Sequence, residues 1–171
     1  GNFAIHQRFT DGKELVNALM GCCDRDSDGN IYYGEVYTTP VLVHEFNHSY
    51  CNLLNEGIWD SIAAKADAIF AENASFYDSI AYGAPELVMN EMFVEASMIR
   101  YLMTHPVDLE GTSFKDMDEL SEILILADEK QKKFMLVRHM VELLGQREVA
   151  YELYPTMRDF MPVYAEAVNG Y

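Results

Sequence analysis

Thr39-Pro40-Val41-Leu42-Val43-His44-Glu45-Phe46-Asn47-His48-Ser49-Tyr50 decides how this 171-residue chain is read. Thr39 can cap a helix, and Pro40 at the first helical position gives up no needed N–H. Val41, Leu42, Phe46, Leu53 and Leu54 then mark an apolar face, and Gly57 offers a stop, so a helix of about four turns is expected. His44 and His48, four apart, stack on one side of that helix and can reach one metal ion. Glu45 sits about 100° round from His44, off the ligand stripe yet close enough to hold a metal-bound water. A buried helix must satisfy its polar groups, and a metal does this for imidazole nitrogens. The plain alternative is an amphipathic helix with two partly buried histidines.

Two histidines are too few for a catalytic zinc site, which takes three protein ligands and keeps one open position. The stretch Asn90-Glu91-Met92-Phe93-Val94-Glu95-Ala96 supplies candidates. Pro85 opens it and His105-Pro106 ends it, predicting a second helix of about 20 residues. Glu91 and Glu95 fall on one face. One carboxylate can bind the metal while the other holds a ligating histidine by its free ring nitrogen; Glu91 is the preferred ligand. A solvated acidic face is the competing reading, but Val88, Met92, Val94, Met98, Ile99 and Leu102 leave this helix little free surface.

His-Glu-x-x-His followed by Asn-Glu and an acid four residues on resembles the gluzincin metallopeptidases of the thermolysin type. The resemblance implies a zincin-like core with Glu91 as third zinc ligand and Glu95 in support. A nearer likeness runs over about residues 31–168, through His44 to Tyr50, Asn90-Glu91 with Val94 to Tyr101, and Tyr154-Pro155-Thr156. It is to a bacterial domain family of unknown function whose members are regarded as zinc metallopeptidases. Members of that family commonly carry Arg where this chain has Glu95.

Composition sets the outer bounds. Half the residues are hydrophobic, so a folded core is expected, and 171 residues suit a single domain over 1–171. A net charge of −16 repels phosphate backbones and argues against nucleic acid as a partner. No apolar run reaches the roughly 18 residues that cross a bilayer. No signal peptide is visible, and Gly1-Asn2 reads as a trimmed start. Three cysteines, with Cys22 and Cys23 adjacent, make no disulfide framework. Cys51 falls on the ligand stripe, where a small buried thiol is favoured over a metal ligand.

Along the rest of the chain, residues 3–9 suggest a strand, and Asp11 with Glu14 resembles a capping box opening a helix to about Met20. Ile31 to Tyr37 reads as a strand that can pair with an extended substrate. Helices are expected over Trp59 to Ile80, Phe114 to Ala127, Asp128 to Leu144 with Gly145 as stop, and Thr156 to Val168. The fold class is α+β, mostly α-helical, with two or three short strands. Asp24-Arg25-Asp26-Ser27-Asp28-Gly29-Asn30-Ile31-Tyr32-Tyr33-Gly34-Glu35 matches an EF-hand loop at each diagnostic place. Asp24, Asp26, Asp28, Asn30 and Glu35 are its candidate calcium ligands. Its expected exit is a strand rather than a helix, so a solvated Asp/Gly turn competes with calcium.

These readings converge on a zinc-dependent peptidase. His44, His48 and Glu91 hold Zn²⁺, and Glu45 serves as general base towards water attacking a peptide carbonyl. Tyr154, Tyr151 and His139 are candidates to stabilise the oxyanion, with Tyr154 preferred. A peptide or protein is the expected partner, and a secreted or periplasmic setting goes with such peptidases by analogy. The alternative is a non-catalytic binding module with a structural metal, either calcium in the Asp24–Glu35 loop or zinc on the His44–His48 helix.

Overall fold

The computed structural model describes residues 3–21, 24–25 and 27–171. Strands β1 (Phe3–Arg8) and β2 (Glu14–Leu19) form an antiparallel hairpin, with Phe3 opposite Leu19 and Arg8 opposite Glu14. The helix expected over Asp11 to Met20 is therefore a strand. Asp11-Gly12 is the reason: Gly12 takes φ +82° and Asp11 Oδ1 accepts the Lys13 amide at 3.1 Å, so the acid closes a turn instead of capping a helix. A second, two-residue pair joins β3 (Asp24–Arg25) to β4 (Ile31–Tyr32). The strand expected to run to Tyr37 thus ends at Tyr32.

Helix α1 (Glu35–Glu72) is 38 residues long, about 57 Å at helical rise. It starts four residues before Thr39, so Pro40 lies inside it. It also runs through Gly57, merging the two helices expected on either side. Gly57 is exposed, and its cost of about 1 kcal/mol is outweighed by the burial of Ile62, Ala66 and Ile69 that follow. The face expected to be buried is only partly so: Leu42, Phe46 and Leu53 are exposed. The buried side of its first half instead carries Glu45, Ser49, Cys51 and Asn55.

Helix α2 (Ala74–Ser79) turns the chain into α3 (Pro85–Thr104), which starts at Pro85 as expected. Eleven residues of α3 are buried, so it is the central element of the bundle. It packs chiefly on α1 and on α5 (Val137–Val149), while α6 (Met157–Gly170) covers α1. Phe93 of α3 meets Tyr164 of α6 at 4.7 Å between ring centroids. Asn55 of α1 donates to the Met89 carbonyl and to Asn90 Oδ1, at 3.3 and 3.0 Å, fixing the α1–α3 register.

Helix α4 (Met117–Ala127) does not end at Asp128. It continues into a π-turn, Asp128–Lys132, and Lys133 at φ +61° breaks the helix before α5. Tyr77 locks that break by donating to the Lys133 carbonyl at 2.6 Å. Helix α5 likewise passes through Gly145. The molecule is α+β and mostly helical, with four short strands among the described residues. No helix there is long and apolar enough to cross a membrane.

Candidate metal centre

Later residues of α1 meet earlier residues of α3, which brings the His44–His48 turn against the Glu91–Glu95 turn. His44 Nε2 lies 3.2 Å from His48 Nε2 and 3.5 Å from Glu91 Oε2, and His48 Nε2 lies 3.4 Å from Glu91 Oε1. Two imidazole nitrogens and the two oxygens of one carboxylate thus face one another. A tetrahedral zinc with bonds of about 2.0–2.1 Å holds its ligand atoms ~3.3–3.4 Å apart. The two imidazole nitrogens stand about that close to each other and each about that close to one Glu91 oxygen, Oε2 for His44 and Oε1 for His48, so a small ion fits between the three side chains. Among the described residues, His44, His48 and Glu91 are the group of this kind whose ligand atoms all fall within 4.8 Å of one another.

Each imidazole is held from behind. His44 Nδ1 faces Glu95 Oε1 at 3.4 Å, and His48 Nδ1 faces Asn52 Oδ1 at 3.4 Å. In the tautomer that donates from Nδ1, each histidine turns an Nε2 lone pair towards the other and towards Glu91. Of the two carboxylates that the sequence offers, Glu91 contacts the inner nitrogens of both histidines and Glu95 the outer nitrogen of His44.

Glu95 is 5% exposed, and a buried carboxylate needs partners. Burial alone would push it up, but the hydrogen bond to His44 and the charges of His44 and Lys132 hold it down at about 2. Lys132 bonds Glu95 and also reaches Asp128 Oδ1 at 2.9 Å. The π-turn puts this lysine there. Asp128 itself is pushed up to about 6, by burial and then by the Glu95 charge, against the pull of Lys132. Glu91 is raised by burial, which outweighs the lowering by His44 and His48. Tyr82, in the loop before α3, is close enough to Glu91 to interact with it; burial and that carboxylate both push its hydroxyl upward. His44 is raised, since Glu95, Glu91 and Glu45 outweigh the lowering by burial.

Beside the triangle lies a cavity of about 230 Å³ lined by Pro40, Val41, His44, Glu45, Glu95 and Met98. Glu45, itself buried, thus lines this cavity beside the ligand stripe. Tyr154 is elsewhere: it packs edge-on against Phe160 at 5.3 Å, and none of its described contacts is with the triangle. Tyr151 lies under the Arg147 guanidinium, and His139 sits beside Tyr171. None of the three oxyanion candidates is among the residues described at the triangle or lining its cavity. Cys51 gives its thiol to Ser97 Oγ at 3.5 Å, and burial pushes it up to about 11, so it is a packing residue.

Of the EF-hand-like loop, Asp26 and the side chain of Asp24 lie outside the described residues. The remainder corrects two expectations about its flanks. The upstream element is the strand β2 rather than a helix, and the downstream element is a helix, starting at Glu35 itself.

Sequence reasoning missed Asn52, Tyr82, Asp128 and Lys132. Asn52 was legible, being four residues beyond His48 on the same face. The other three reach the site only through the tertiary fold. No protein-family model, curated protein or solved structure matches this chain.

Proposed function

We propose that this protein is a zinc-dependent hydrolase that cuts peptide bonds, with His44, His48 and Glu91 as the metal ligands. The observation that supports it best is the 3.2–3.5 Å triangle formed by these three side chains, with Glu45 one residue from the first ligand. Zinc bound there supplies an electrophile for a carbonyl and makes a water acidic enough to lose its proton near neutral pH. Glu45 takes that proton and returns it to the leaving amine. Glu95 and Asn52 keep the two imidazoles turned so that Nε2 faces inward. Tyr82, which interacts with Glu91, is the donor proposed for the oxyanion in place of Tyr154. A peptide is the proposed substrate, and the net charge of −16 disfavours nucleic acid.

Glu45→Gln keeps the shape of the side chain and removes the base. In a fluorogenic peptide-library assay the variant is expected to lose about 10²–10⁴-fold in turnover while retaining its zinc. A Glu45→Gln protein as active as the parent contradicts the reading.

A further inference from the structure

A second cavity, about 350 Å³, opens between α1, α3, α5 and the start of α6. Its lining includes none of His44, Glu45, His48, Glu91 or Glu95, so it is separate from the candidate metal centre. Leu54, Phe93, Leu144 and Met157 make its wall apolar. Two arginines also line it, and they differ. Arg100 is neutralised: its Nε donates to Glu148 Oε1 at 3.1 Å and its Nη2 to Oε2 of the same carboxylate. Gly145 makes room for this pair, since a Cβ there would stand 3.3 Å from the Arg100 guanidinium.

Arg147 has no such partner. Its Nη2 donates to the Pro155 carbonyl at 3.1 Å and its guanidinium lies over the Tyr151 ring. Its Nε is buried and has no acceptor among the described residues. The nearby Asp159 carboxylate feels the Arg147 charge but spends its hydrogen bonds on the amide and hydroxyl of Thr156. A guanidinium at the wall of an apolar cavity, with one buried N–H unsatisfied and no carboxylate among the described residues hydrogen-bonded to it, is costly in the free protein and favours a ligand that completes it. Pockets that bind small organic molecules have this character: mostly apolar, with few polar groups fixing orientation.

We propose that this cavity binds a small amphiphilic carboxylate, its apolar tail against Leu54, Phe93, Leu144 and Met157 and its carboxylate on Arg147. The proposal does not depend on zinc or on hydrolysis.

Octanoate and octanol test it by calorimetric titration of the full chain, chelator-treated so that no metal competes for the carboxylate. Octanoate is expected to saturate one site and to bind at least about tenfold more tightly than octanol, the difference set by one charge-assisted contact. Arg147→Met should erase that difference without lowering octanol binding, and Arg147→Lys should retain part of it. Methyl-labelled methionine spectra then place the ligand: Met157 shifts on titration, whereas Met98, beside the metal centre, does not. No saturable binding, equal affinity for acid and alcohol, an unchanged Arg147→Met protein, or a response at Met98 instead of Met157 would each overturn it.

Discussion

Replacing Lys132 with Met keeps a long apolar stem and removes one charge from behind the candidate metal centre. Glu95, which Lys132 bonds, is 5% exposed and is held at about 2 instead of its ordinary 4.5. That preference for the ionised form is worth roughly 3 kcal/mol and is supplied by His44 and Lys132 together. The Lys132 side chain is 39% exposed, so water screens its share, and its loss costs about 1–2 kcal/mol. The sign follows from linkage: a depressed carboxyl adds stability above its unfolded value of 4.5 and loses it as pH falls through 2. Urea unfolding of chelator-treated protein at pH 7 should therefore show the deficit, and the same comparison near pH 2 should show it much reduced. Because Glu95 orients His44, zinc affinity should also fall about 10–100-fold, with Lys132→Arg retaining most of it. A Lys132→Met protein with parental stability at pH 7 and parental zinc affinity would refute the reasoning.

Other consequences follow from the same network and from α1. Asp128 has a raised pKa, so its contribution is full below 3.8 and lost as pH rises through about 6. Metal-free wild-type protein should lose up to about 3 kcal/mol across that window from this group. Asp128→Asn should flatten the profile, and an unchanged slope in urea titrations between those pH values counts against it. Pro40 sits inside α1 and cannot donate to the Val36 carbonyl. Pro40→Ala should raise stability by about 1–3 kcal/mol, read as a higher urea midpoint; a lower midpoint would mean that the helix does not carry this strain.

What could be read from the sequence was what local rules control. Pro85 at its start and His105-Pro106 at its end placed α3 almost to the residue, and four-residue spacing placed His44 with His48 and Glu91 with Glu95 on shared faces. The Glu91 carboxylate does lie against both imidazoles, and its role as a ligand is the proposal made above. Reading failed where tertiary burial overrode a local signal. Gly57 and Gly145 lie inside helices because the packing on either side outweighs a single glycine. Asp11-Gly12 made a hairpin turn where a capping box was expected. Lys132 could not be found, since it reaches Glu95 only through a π-turn stabilised by Tyr77, 56 residues away. Tyr154 was chosen from a position in the sequence, and its ring is engaged by Phe160.

Zinc content measured by elemental analysis, on protein stripped with chelator and reloaded with one equivalent, tests the central claim most directly. The account predicts about one zinc per chain in the parent and in Glu45→Gln, and none in His44→Ala or Glu91→Ala. A parent chain that retains no zinc after reloading, or a His44→Ala chain that retains it in full, would contradict the assignment of His44, His48 and Glu91 as a metal site.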